Sequence, residues 1–188
     1  MVHQLETLMK PIAGMFIVVL LATAAAQGAD NPKSAALVRA MRSDEIAVAT
    51  AKLAFISGAL REHYGKTSNS CVKRIPYTDF TAGWANVVES VLSPAEIETS
   101  LAFFQSDAGI KHVEGVMRRL RARQGEDSLL PEFAGKEEIT QAQLAAIADF
   151  SRTDIGRKVM GKDLILSPAA EALGRQTTEQ IAAKCGGK

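Results

Sequence analysis

The feature that most restricts the fold of this chain is a segment that occurs twice. "LSPAEIETSLAFFQSDAGIKHVEG" (Leu92 to Gly115) aligns with "ITQAQLAAIADFSRTDIGRKVMG" (Ile139 to Gly161) at an offset of 47 residues. Thr140 stands for Ser93, Gln143 for Glu96 and Phe150 for Phe103. Thr153 stands for Ser106, Asp154 for Asp107, Gly156 for Gly109 and Lys158 for Lys111. Ser93 is a good N-cap, Pro94 suits the first helical position, and Glu96 three residues on completes a capping box. A second helix then starts at Ser106, with Asp107 facing the positive end of its dipole. Gly109 and Gly156 let the two helix ends approach closely. Each copy predicts helix, tight turn, helix, and two copies predict two similar hairpins packed together.

That duplication also bears on chemistry. Ser106, Asp107, Gly109, Thr153, Asp154 and Gly156 resemble a small polar site when each copy is read alone. A catalytic group is rarely needed twice in one small domain, whereas a turn is. The six residues are therefore read as a structural turn motif.

The rest of the chain predicts more helix. Asn31 and Pro32 open a helix that runs to Arg42. Ser43, Asp44 and Glu45 restart or continue it, and Leu53, Ile56, Leu60 and Tyr64 form one apolar stripe that Gly65 ends. "KTSNSC" is expected to be a polar loop. A helix after Pro76 aligns Tyr77, Phe80, Trp84, Val87 or Val88, and Val91. After Ser93, Ile97, Leu101 and Phe104 point inward, and Ile110, Val113, Met117 and Leu120 repeat at helical spacing in the next helix. "RQGEDSLLPEFAGKEE" links the two halves. A last helix follows Ser167 and Pro168, carries Leu173, Thr177 and Ile181, and ends at Cys185. The expectation is an all-α, single-domain bundle of about six or seven helices, without the alternation of strand and helix that a parallel sheet requires.

Residues 1–26 predict a secretory signal peptide. Lys10 supplies the positive segment, Ile12 to Leu21 the apolar core, and Ala24 to Ala26 the small-residue cleavage site. The apolar run is short for a span of about 20 residues. Glu6 suits no such leader, so translation is expected to start at Met9. Removing residues 1–26 takes one acid and one base, and the net charge stays at +1. Residues 27–188 form the single helical domain, long enough to bury about 68–70% of its unfolded surface. The chain has two cysteines, Cys71 and Cys185, and an oxidising compartment pairs them as a disulfide.

Composition excludes several function classes. Lys and Arg number 22 against 21 Asp and Glu, so there is no basic excess for a general nucleic-acid binder, and aromatics at 5% offer no stacking platform. The cysteines make no CxxC pair, and with the histidines they show no zinc-ligand spacing. Neither a dinucleotide glycine motif nor a phosphate-binding loop is present. No cofactor is expected. His112 and His63 are read as exposed surface histidines. A Ser/His/Asp triad built from distant positions stays open at this point, although no nucleophile-elbow sequence supports one. Arg118, Arg119, Arg121 and Arg123 form a possible basic patch for phosphate head groups or an acidic partner, against the simpler reading of solvated cations at a helix C-terminus. Tyr77, Phe80, Trp84, Phe103 and Phe104 could line a ligand pocket or simply fill the core.

The segment "SPAEIETSLAFFQSDAGIK" resembles the signature of a bacterial exported family, the domain of unknown function numbered two thousand and fifty-nine. Its members show an acidic-Leu pair, Phe-Tyr, Ser or Thr, Pro, one residue, Gly and Lys. Here Phe104 stands in place of Tyr, and Asp107 in place of Pro. The family-like core covers residues 75–161, with the resemblance best over 75–120 and weaker over 139–161. It implies an all-helical periplasmic protein and brings no activity, cofactor or catalytic residue.

These readings lead to a non-catalytic helical protein, periplasmic or secreted, that binds a protein or envelope component. It is not an integral membrane protein after signal cleavage and does not bind nucleic acid. The alternatives are a carrier of a small apolar ligand and an envelope hydrolase.

Overall fold

The computed structural model describes residues 31–65, 67–75, 80–124 and 139–186. The signal segment, Tyr77 and most of the linker lie outside them. Among the described residues the chain is all-α, as expected, with ten helices. No helix there is long and apolar enough to cross a membrane.

Helix α1 (Pro32–Met41) begins where the Asn31 side chain accepts a hydrogen bond from Lys33 N, with Pro32 at the first position. Arg42 adopts a left-handed conformation, φ 52°, and its N–H donates to Arg39 O. This residue separates α1 from α2 (Ser43–Ile56), so the second helix restarts rather than continues. The expected unbroken helix to Gly65 is interrupted. Gly58 takes φ 80°, which only glycine adopts cheaply, and α3 (Arg61–Tyr64) follows as a separate turn. The buried face of α2 is Val48, Ala49, Lys52 and Phe55, while Leu53 and Ile56 are only half-buried. Lys52 Nζ reaches Lys73 O at 3.3 Å.

The expected polar loop is also corrected. Ser68 caps a short helix, α4 (Asn69–Arg74), which carries Cys71. α3 and α4 contribute to the excess over six or seven helices. α5 (Thr81–Val91) starts later than the expected position after Pro76, with Phe80 at its N-cap. It buries Trp84, Ala85, Val87 and Val88.

α6 (Pro94–Phe104) and α7 (Asp107–Gln124) form one hairpin, and α8 (Gln141–Arg152) and α9 (Asp154–Met160) the other. Both first helices begin with complete capping boxes, Ser93 with Glu96 and Thr140 with Gln143. The turns match atom for atom. Ser106 Oγ donates to Phe103 O at 2.6 Å and accepts from Gly109 N at 3.2 Å. Thr153 Oγ1 donates to Phe150 O at 2.7 Å and accepts from Gly156 N at 2.9 Å. Phe103 and Phe150 stack on each other with centroids 3.8 Å apart and planes 6° from parallel. α7 packs on α8, and α6 on α9. On α7, Val113 and Met117 are buried, but Ile110 is 45% exposed and does not share their inward stripe.

The main core gathers Leu37 and Val38 of α1, Val87 and Val88 of α5, Ile97 and Phe104 of α6, and Leu173 of α10 (Pro168–Cys185). Ser34 on α1 and Ser100 on α6 are fully buried, which suits the close packing of those two helices. A smaller cluster joins Phe55, Val72, Ile75, Ile181 and Cys185. It surrounds the disulfide between Cys71 and Cys185, whose Cα atoms are 5.6 Å apart. Ser68 N also donates to Cys185 O, so the end of α10 is tied to α4 by both covalent and hydrogen bonds.

Candidate functional site

A cleft of about 550 Å³ opens beside the main core, within the range of about 300–1,000 Å³ typical of small-molecule sites. One wall is a single face of α2: Ser43, Ile46, Ala47, Thr50, Ala51 and Ala54. These positions recur at three and four residues, so they lie one above another along the helix. A second wall comes from α10, with Ala170, Glu171, Gly174 and Thr178. His112, Val113 and Val116 of α7, Val159 and Met160 of α9, and Leu164 and Ile165 of the following loop also line it. Trp84 and Phe104 reach it from the core. Thr50, Ile165 and Glu171 are solvent-exposed, which marks the open side.

The cleft exists because its walls carry small side chains. A methyl group placed on Gly174 would meet nothing within 4 Å. On α2 the lining includes Ala47, Ala51 and Ala54. Small side chains on both helices leave room beside them that larger ones would fill.

Few polar atoms face this volume. Thr50 Oγ1 donates to Ile46 O at 2.8 Å, and Thr178 Oγ1 to Gly174 O at 2.7 Å. Both hydroxyl protons are thus held within their own helices, leaving only acceptor lone pairs. His112 is half-buried, which corrects the expected exposed histidine. Burial, and then the nearby Arg119 cation, hold its pKa below the ordinary histidine value of 6.5. The imidazole is accordingly neutral at pH 7. His63 is exposed and sits edge-on to Tyr64.

The residues singled out in the sequence fall mostly elsewhere. Ser106, Asp107, Gly109, Thr153, Asp154 and Gly156 build the two turns and do not line the cleft. Arg118, Arg119, Arg121 and Arg123 lie on the last turns of α7, where Arg118, Arg119 and Arg123 are exposed. Their spacing wraps them around the helix rather than onto one face. Of the aromatic set, Trp84 and Phe104 reach the cleft, Phe103 stacks on Phe150, and Phe80 packs against the core. Among the described residues no group of three or more His, Cys, Asp or Glu could hold a metal ion.

Sequence reasoning missed the α2 and α10 walls. A signal existed in Ser43, Ala47, Thr50, Ala51 and Ala54, five small or half-polar residues at helical spacing. The stripe through Leu53 and Ile56 is the more apolar face of the segment.

No protein-family model, curated protein or solved structure matches this chain.

Proposed function

We propose that this chain is a non-catalytic, exported helical protein that carries a small apolar ligand in the cleft between α2 and α10. One observation carries the reading: a cavity of about 550 Å³ with alanine, valine, isoleucine and methionine side chains on its walls and few free hydrogen-bonding groups. Such a surface gains by shedding water onto apolar atoms, at about 25 cal/mol per Å² buried. It offers little to a polar substrate.

A periplasmic or secreted location is supported by the leader read in residues 1–26 and by the Cys71–Cys185 pair, because disulfides persist in oxidising compartments. The matching turn geometry of the two hairpins supports reading them as a duplication.

The test is native mass spectrometry of protein purified gently from its producing cell. A retained apolar molecule is expected. A repeatedly empty protein that also fails to take up any added apolar compound would refute the proposal. A second reading, docking of an envelope protein, is favoured by Ile165 and Leu166, which are 61% and 60% exposed near the cleft mouth. Crosslinking from that loop in cells distinguishes the two, since a carrier yields no single protein adduct.

A further inference from the structure

We infer that the ligand is an amphiphile with an extended hydrocarbon chain, laid along α2, rather than a compact ring system. The inference rests on reading the cleft as an apolar-ligand site.

Its basis is the shape of the cleft. The lining face of α2 runs from Ser43 to Ala54, about 16 Å at 1.5 Å per residue. The lining part of α10, Ala170 to Thr178, covers about 12 Å in the same way. A volume of about 550 Å³ spread over about 16 Å averages roughly 34 Å² in section. That admits one or two hydrocarbon chains abreast at contact distances of roughly 4 Å. The same volume in a compact shape would be roughly 8 Å across in every direction, only half the length that α2 provides.

The chemistry of the walls agrees. Rings are usually held by aromatic faces and a few fixed polar groups. Here the long α2 wall carries no ring, being Ala47, Ala51 and Ala54 with Ile46, Ser43 and Thr50, while Trp84, Phe104 and His112 enter from other elements, and Gly174 leaves open space. A smooth trough of this kind contacts successive methylenes equally. The polar end of the chain would sit at the open rim, where Thr50 and Glu171 meet solvent.

The chain's single tryptophan, Trp84, lines the cleft and supplies the readout. Binding of octanol, decanol and dodecanol is compared with cyclohexanol and adamantanol by Trp84 emission and by calorimetry. Affinity is expected to rise up to about fourfold per added methylene, with dodecanol well ahead of adamantanol. Gly174→Leu, whose side chain enters open space, is expected to keep the helical signal and weaken dodecanol at least about tenfold. Affinity independent of chain length, or adamantanol binding as tightly as dodecanol, overturns the extended-chain inference and leaves the apolar-carrier reading standing. If no compound of either class binds, both fall. The unsubstituted protein alone decides these outcomes, so a misfolded Gly174→Leu variant would not shield the inference.

Discussion

Gly109 and Gly156 give the sharpest test of how this chain folds. A methyl carbon on Gly109 would lie 2.2 Å from Phe103 O and 2.6 Å from Phe104 Cα. On Gly156 it would lie 1.8 Å from Phe150 O and 2.6 Å from Phe150 C. All of these are backbone atoms, so no side chain can rotate away. The second helix of each hairpin would have to shift. Overpacking of this kind costs about 1–3 kcal/mol, and a rigid obstacle puts it at the upper end. The shift also stretches the cap bond from Gly109 N to Ser106 Oγ, or from Gly156 N to Thr153 Oγ1, for about 1 kcal/mol more. Better helix propensity of alanine returns about 1 kcal/mol. The net loss is about 3 kcal/mol for either Gly→Ala variant, a large share of a typical total of about 5–15 kcal/mol. Urea unfolding followed by helical circular dichroism, with the disulfide intact, measures it. In melting temperature the loss is about 6–12 °C for a domain of this size. Gly174→Ala is the control, because its methyl meets nothing, and it should stabilise by about 0.5–1 kcal/mol. If Gly109→Ala and Gly156→Ala both stay within about 0.5 kcal/mol of the parent, the close-approach argument is wrong.

Three further outcomes are expected. Replacing Cys71 and Cys185 by serine opens a link across 114 residues and should cost up to about 4.7 kcal/mol, read as a lower urea midpoint. Glu96 is held down to about 2, first by the hydrogen bond from Lys158 and then by those from Ser93. Its depressed value means stability that is present above the unfolded value of 4.5 and lost as pH falls toward 2. Glu96→Gln should therefore flatten the stability curve over that window, and an unchanged slope would count against the ion pair. His112 is lowered, so the unfolded chain binds its proton first, and stability should fall as pH drops below 6.5. Ligand affinity should fall in the same direction, because protonation puts a cation on an apolar wall already near Arg119, although Glu171 also lines the cleft. His112→Gln should lessen both pH effects in parallel titrations.

The parts legible in the sequence are those fixed by short-range hydrogen bonds. The caps at Ser93, Thr140, Ser106 and Thr153 need only a hydroxyl and the N–H three residues later, and each forms as read. The disulfide needed only a count of two. Where the reading failed, several helices act together. α4 looks like a polar loop because Ser68, Asn69 and Ser70 favour turns. Its cap, its bond to Cys185 O and the disulfide hold it as a helix. α2 offers two candidate stripes, and only its neighbours determine that Val48, Ala49, Lys52 and Phe55 go inside. The cleft was illegible for a related reason. An unfilled space belongs to the set of helices around it, and no periodicity within one helix announces it.

Glu96 has a consequence for how the sequence can drift. One of its oxygens accepts from Ser93 N at 2.8 Å to close the cap of α6, and the other accepts from Lys158 Nζ of α9 at 2.6 Å. The counterpart in the second hairpin, Gln143, closes its own cap through Thr140 N, while Lys111 turns instead to Glu114 on its own helix. A change at position 96 is thus felt in both hairpins, and its effect depends on which residue occupies position 158. Such contacting pairs are not additive. Positions 96 and 158 should therefore tolerate substitution as a couple, whereas position 143 is free to wander alone so long as it can still accept one backbone hydrogen.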